Sequence, residues 1–175
     1  MKFFTAIMGA ALAATGVSAQ QAIVKNNCQE TIYVQSFPYD GSTAGPLTTL
    51  NHGDTFSEAF RPSGSTIKLA TTKTLTSPLF FGYSFSTNPD YAYCKCTSVS
   101  TVIRIRGIQA NIFSPDEFST EWGNPFANFH NILTPGAGCE EFDCAAGQAD
   151  CYSTPSQKKV YGCPQPVTLE ADLCV

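Results

Sequence analysis

Thr31-Ile-Tyr-Val-Gln-Ser-Phe37 runs straight into Pro38-Tyr-Asp-Gly41. Seven residues rich in β-branched and aromatic side chains, closed by a Pro/Asp/Gly cluster, spell a strand ending in a turn. The same grammar repeats outward along the chain. Leu50-Asn-His-Gly-Asp54 is a turn before a strand at Thr55–Phe60, and Arg61-Pro-Ser-Gly64 is a turn before a strand at Thr66–Thr71. Leu79–Phe85 and Tyr91–Tyr93 flank a hairpin loop at Ser86-Thr-Asn-Pro-Asp90. Val167-Thr-Leu-Glu-Ala-Asp-Leu173 alternates at period two, as a half-buried strand does. Helical periodicity is nearly absent, with one short turn expected between Glu140 and Ala149. Short strands, frequent turns and no βαβ rhythm predict an all-β antiparallel sandwich.

Composition narrows the function classes. With 43% apolar, 12% aromatic and only 14% charged residues, the 175-residue chain can bury a core, and one domain suits its length. A net charge of −4 without a Lys/Arg block gives no footprint for nucleic acid. Residues 1–19 read as a signal peptide: Lys2, an apolar run from Phe3 to Ala14, and the small-residue site Val17-Ser18-Ala19. A single domain is then expected over residues 20–175, secreted and monomeric. No stretch reaches the roughly 20 apolar residues that span a bilayer, so no membrane span is expected.

Eight cysteines, at 28, 94, 96, 139, 144, 151, 163 and 174, all follow the leader and read as disulfides in an oxidising compartment. Zinc is the competing reading. Cys94-Lys95-Cys96 has the wrong spacing for a knuckle, and His52 and His130 stand apart, so neither a metal nor a cofactor is expected.

Ala22-Ile-Val-Lys-Asn-Asn-Cys28 followed by Thr31-Ile-Tyr-Val, Leu50-Asn-His-Gly-Asp-Thr-Phe56, and Cys139-x4-Cys144-Ala-Ala followed by Cys151 resemble segments of thaumatin-like proteins. Trp122-Gly-Asn-Pro-Phe126 is similar to the small fungal branch, with the yeast-phase-specific domain and the CetA/CalA-type proteins of conidia. The resemblance implies a thaumatin-like β-sandwich with a small disulfide-stapled C-terminal loop region. It also implies Cys28–Cys174 and Cys139–Cys163. Cys144 and Cys151 match two family cysteines whose own partners are missing here, and are paired with each other. That leaves Cys94 and Cys96 without partners.

Those two begin a segment, 94–116, that fits the rest poorly. Cys94-Lys-Cys96 allows TGT-AAG-TGT, which contains a GTAAGTG splice donor. Ala110-Asn111 allows GCT-AAC, a fungal branch site, and Phe113-Ser-Pro-Asp116 allows a pyrimidine-rich acceptor ending CCA-G. Cutting after the first base of codons 94 and 116 removes 22 codons in frame and joins T to AY, a tyrosine codon. We read the segment as a retained intron; a native insert forming an extra hairpin is the alternative.

For chemistry, a Gly-x-Ser-x-Gly elbow and phosphate loops are absent. Glycoside hydrolysis needs two carboxylates some 5–9.5 Å apart. By the resemblance, Glu117 stands where the family's cleft Asp does, while the cleft Glu falls on Gly82; Glu121 is a possible substitute, and Glu140, Glu141 and Asp143 read as solvating a loop. The expectation is a non-catalytic wall protein that binds β-glucan in conidial wall assembly and germination. A weak endo-β-1,3-glucanase, or an effector acting on a host surface protein, are the alternatives. Sugar binding would use flat aromatics with polar rims, and Tyr33, Tyr39, Tyr91, Tyr93, Trp122 and Phe126 are the candidates; core packing is the alternative for each and the stronger expectation for Phe126.

Overall fold

The alternating segments form two stacked sheets. The computed structural model describes residues 20–85, 113–135, 139–164 and 168–175, with only the backbone at 113–115 and 163–164. The leader at 1–19, Tyr91, Tyr93, Cys94 and Cys96 lie outside the described residues. The described strands are β1 (Gln21–Asn26), β2 (Ile32–Pro38), β3 (Thr48–Leu50), β4 (Thr55–Ala59), β5 (Ser65–Ala70) and β6 (Leu79–Tyr83). They continue with β7 (Phe113–Ser119), β8 (Asn131–Thr134), β9 (Phe142–Cys144), β10 (Tyr161–Pro164) and β11 (Leu169–Leu173). No helix is found among the described residues.

One sheet has the order β4-β1-β11-β8-β9, the other β10-β7-β6-β5-β2-β3. Period-two burial points Ala22, Val24, Leu133, Leu169, Ala171 and Leu173 of the first inward. They meet Ile32, Val34, Ile67, Leu69, Leu79, Phe81 and Phe118 of the second. Burying this apolar surface is the main source of stability.

The expected sandwich is present, and its described strands pair antiparallel with one exception: β1 and β11 pair parallel, from Ala22↔Leu169 to Asn26↔Leu173. The first and last strands meet in the sheet centre with no need for a hairpin between them. Between Glu140 and Ala149 a short turn does form, with the Gln148 N–H donating to the Ala145 carbonyl at 3.0 Å; before it lies the strand β9, where Phe142 and Cys144 alternate inward around exposed Asp143 and pair with β8. The strands β3, β8, β9 and β10 carry three or four residues each, too few for their alternation to be read alone.

A disulfide locks the β1/β11 pairing. Cys28 is joined to Cys174, a separation of 146 residues. Two fully buried asparagines hold it. The Asn26 Oδ1 accepts the Cys28 N–H at 3.0 Å, and the Asn131 Oδ1 accepts the Cys174 N–H at 3.1 Å. Cys144 is joined to Cys151 across seven residues. Cys139 is also disulfide-bonded, while the side chain of its expected partner Cys163 lies outside the described residues.

Candidate functional site

The outer face of the six-stranded sheet carries Tyr39 and Trp122, the two most exposed aromatics among the described residues. Cross-strand partners share a face, so register assembles it. Phe37 of β2 pairs with Thr66 of β5, Thr66 with Gly82 of β6, and Gly82 with Glu117 of β7. The next row is Gln35, Lys68, Phe80 and Ser119. Tyr33, opposite Ala70, extends the face at its far end.

Tyr39 lies across the first row. The Thr66 hydroxyl donates to its phenol oxygen at 3.1 Å. A Cβ at Gly82 would meet that oxygen at 3.0 Å, and one at Gly64 would meet the ring at 2.9 Å. Both glycines make room for the ring, and Gly64 also needs its φ of +79° to close the turn. Burial is the main cause pushing the Tyr39 phenol above its ordinary pKa; the Thr66 hydrogen bond opposes this and the Glu117 charge adds to it. Even so, Tyr39 is 52% exposed.

The second row carries a cation between rings. The Lys68 ammonium sits 4.5 Å from the Phe37 ring centre and 5.5 Å from that of Phe80. Beyond Phe80 lies Trp122, its ring centre 6.3 Å away and 65% of its surface exposed. The turn carrying Trp122 is closed by the Gly123 N–H donating to the Thr120 carbonyl. Gly123 has a φ of +140°, and a Cβ there would collide with the Ser77 carbonyl at 2.5 Å. This seats Trp122 beside the loop 72–77, whose Thr72, Thr74 and Thr76 hydroxyls are hydrogen-bonded to one another. Lys73 of that loop lies 6.0 Å from the Tyr33 ring centre. The result is a belt of aromatic surface, from Tyr39 to Trp122, rimmed by hydroxyls and ammonium groups.

The structure thus brings Tyr33, Tyr39, Trp122 and Glu117 onto one face. It adds Phe37, Phe80, Lys68 and Thr66, whose common facing is a product of strand register that the linear sequence does not display. Phe126, for which core packing is the stronger expectation, is a core residue at 1% exposure. Its carbonyl accepts from Asn131 at 2.9 Å, which pins its turn against the core. His130 does not stand apart: its Nε2 lies 2.5 Å from Asp143 Oδ1.

Glu117 has no second carboxylate in its cross-strand row, and the charges of both Glu117 and Glu121 act on the Lys158 ammonium. Glu121 Oε2 accepts from the Lys158 ammonium at 2.8 Å, and Asp116 is turned into the core at 1% exposure. Glu58, in the groove near the sandwich edge, is fully engaged. Its Oε1 accepts from Ser36 at 3.0 Å and from Tyr83 at 2.9 Å, and its Oε2 from Arg61 at 3.3 Å. Among the described residues no group of three His, Cys, Asp or Glu side chains is placed to hold a metal ion.

No curated protein matches the chain. The solved structure of the protein elicitor MoHrip2 from Magnaporthe oryzae is 56% identical, with a TM-score of 0.76, covering 90% of this chain and 100% of its own. A thaumatin-like xylanase inhibitor, TLXI, aligns at 12% identity and a TM-score of 0.46, over 88% of this chain and 99% of its own. The profile of the Blastomyces yeast-phase-specific proteins matches residues 9–101 and 115–175. The chain belongs to the Blastomyces yeast-phase-specific protein family.

Proposed function

We propose that this is a secreted, non-catalytic protein that binds cell-wall β-glucan on the outer face of its six-stranded sheet, in wall assembly or germination of conidia. The observation that carries this reading is the exposed belt of Tyr39, Phe37, Phe80 and Trp122 with its hydroxyl and ammonium rim. Sugar rings stack their C–H faces on flat aromatics and direct their hydroxyls to a polar rim. A non-catalytic role is supported by the engagement of Glu121 with Lys158 and the inward turn of Asp116, which leave Glu117 without a second carboxylate in its row.

Pull-down on insoluble β-1,3-glucan tests it. Trp122→Ala and Tyr39→Ala should each weaken retention about tenfold, near 1.4 kcal/mol, without loss of folding. No reducing sugar should appear. Retention unchanged in both variants would refute the site, and sugar release abolished by Glu117→Gln would establish a glucanase. Gly82→Ala should act like Tyr39→Ala, because its Cβ would crowd the phenol that Thr66 holds.

A second reading is favoured by the 56% identity with a protein elicitor: action on another organism rather than on the producer's own wall. Infiltrating plant leaves with the wild type and Trp122→Ala separates the two. A defence response that survives Trp122→Ala would assign the elicitor role to a different surface.

A further inference from the structure

Asp116 is a carboxylate in the wrong place. It is 1% exposed, and among the described residues no other residue hydrogen-bonds either of its oxygens. Buried polar groups are nearly always paired, so this one needs a reason. It points inward from β7, two residues before the core side chain Phe118, and lies cross-strand from Tyr83 of β6 and Tyr161 of β10. Burial pushes its pKa up to about 8, opposed only by its own backbone N–H. The titratable groups facing it are those two phenols, both themselves raised by burial. The charges behind them are Glu58, which accepts from Tyr83, and Glu140, which acts on Tyr161; both are acidic. Among the described residues nothing positive balances Asp116.

Its neighbour is a second misfit. Pro115 places a residue without an N–H in β7 opposite Gly162 of β10, and interior strands exclude proline. Both misfits stand at the end of the segment whose codons allow a donor, a branch site and an acceptor in frame. The family match also breaks off between residues 101 and 115, inside that segment.

We infer that the functional chain lacks the 22 codons running from the first base of codon 94 to the first base of codon 116, so that tyrosine stands in place of Asp116. The joined strand reads Tyr91-Ala92-Tyr93-Tyr-Glu117-Phe118-Ser119. An aromatic ring then replaces the orphan carboxylate beside Tyr83, Tyr161 and Phe118.

Three measurements test the inference. Reverse-transcribed RNA should show the chief transcript lacking these 66 nucleotides. Asp116→Tyr in the 175-residue chain should raise its melting temperature by roughly 5 °C or more at pH 7. The pH dependence supplies a variant that keeps the side-chain size. A carboxyl with a raised folded-state pKa leaves stability intact below its unfolded pKa, near 4, and lowers it as pH rises toward 8. The Asp116 chain should therefore lose roughly 10 °C between pH 4 and 8 relative to Asp116→Asn. A chief transcript carrying the 66 nucleotides, a lower melting temperature for Asp116→Tyr, or parallel pH curves for Asp116 and Asp116→Asn would each overturn the inference. None of these readouts involves glucan. Failure of polysaccharide binding with all three satisfied would overturn the binding face and leave the shortened chain standing.

Discussion

Replacing Cys28 and Cys174 together by serine is expected to cost about 5 kcal/mol of stability and to lower the melting temperature by roughly 10–20 °C. The bridge spans 146 residues, nearly all of the chain after the leader, and the loop-closure entropy it removes from the unfolded state grows with that length. Natural domains have only about 5–15 kcal/mol in total, so the loss is a large share. The native pairing would also weaken locally. Cys28 and Cys174 follow directly on the parallel ladder of β1 and β11, and the serines would leave that ladder to its hydrogen bonds, its core packing and the Lys25–Glu170 ion pair. By contrast, removing Cys144–Cys151, which closes a loop of seven residues, should cost about 2.5 kcal/mol on the same reasoning. Denaturant titration of the two double variants measures both values; equal losses would contradict the loop-length account of the larger bridge.

The second large effect is expected at Asn131. Its amide is fully buried and satisfied on every side. It donates to the Phe126 carbonyl at 2.9 Å, the Phe129 carbonyl at 3.0 Å and the Tyr152 hydroxyl at 2.9 Å, and it accepts the Cys174 N–H at 3.1 Å. Asn131→Ala deletes one side chain and strands partners on a turn, a core tyrosine and the bridged cysteine. Each buried group left unpaired costs on the order of 1–3 kcal/mol, so a total of about 3–5 kcal/mol is expected. Asn131→Asp should be worse at neutral pH, because it puts a negative charge against two carbonyl oxygens. Melting curves for the two variants check this. A loss under about 1 kcal/mol in Asn131→Ala would mean that water replaces the amide.

These features differ in how far the sequence announces them. The strand at Ile32–Pro38 and that at Leu169–Leu173 are visible because one buried face repeats every second residue over at least five residues. Thr48–Leu50 and Phe142–Cys144 are too short to show a period, and only pairing with β2 and β8 makes them strands. The parallel β1/β11 pair joins residues that no local signal relates, although the resemblance of Cys28 and Cys174 to first and last family cysteines pointed to the contact. The candidate face was legible in its residue types and not in its assembly. Phe37, Thr66, Gly82 and Glu117 are scattered over 80 residues and become one row only through the register of four strands. Gly82 is the sharpest case. Read along the chain it is the loss of a family carboxylate; in the sheet it is the space that Tyr39 occupies. Phe126 was legible as a core residue from its type alone; what the sequence did not show is the Asn131 amide that holds its carbonyl at 2.9 Å.

Trp122 offers the most direct test of the binding face, because it is the only tryptophan in the chain and is 65% exposed at the end of the aromatic belt. Its fluorescence should be titrated with a soluble β-1,3-gluco-oligosaccharide. Stacking of a sugar ring on the indole predicts a saturable blue shift, with an apparent affinity about tenfold weaker in Tyr39→Ala. An emission spectrum that does not move at any oligosaccharide concentration, while the protein is still retained on insoluble glucan, would place polysaccharide binding elsewhere and contradict the assignment of this face.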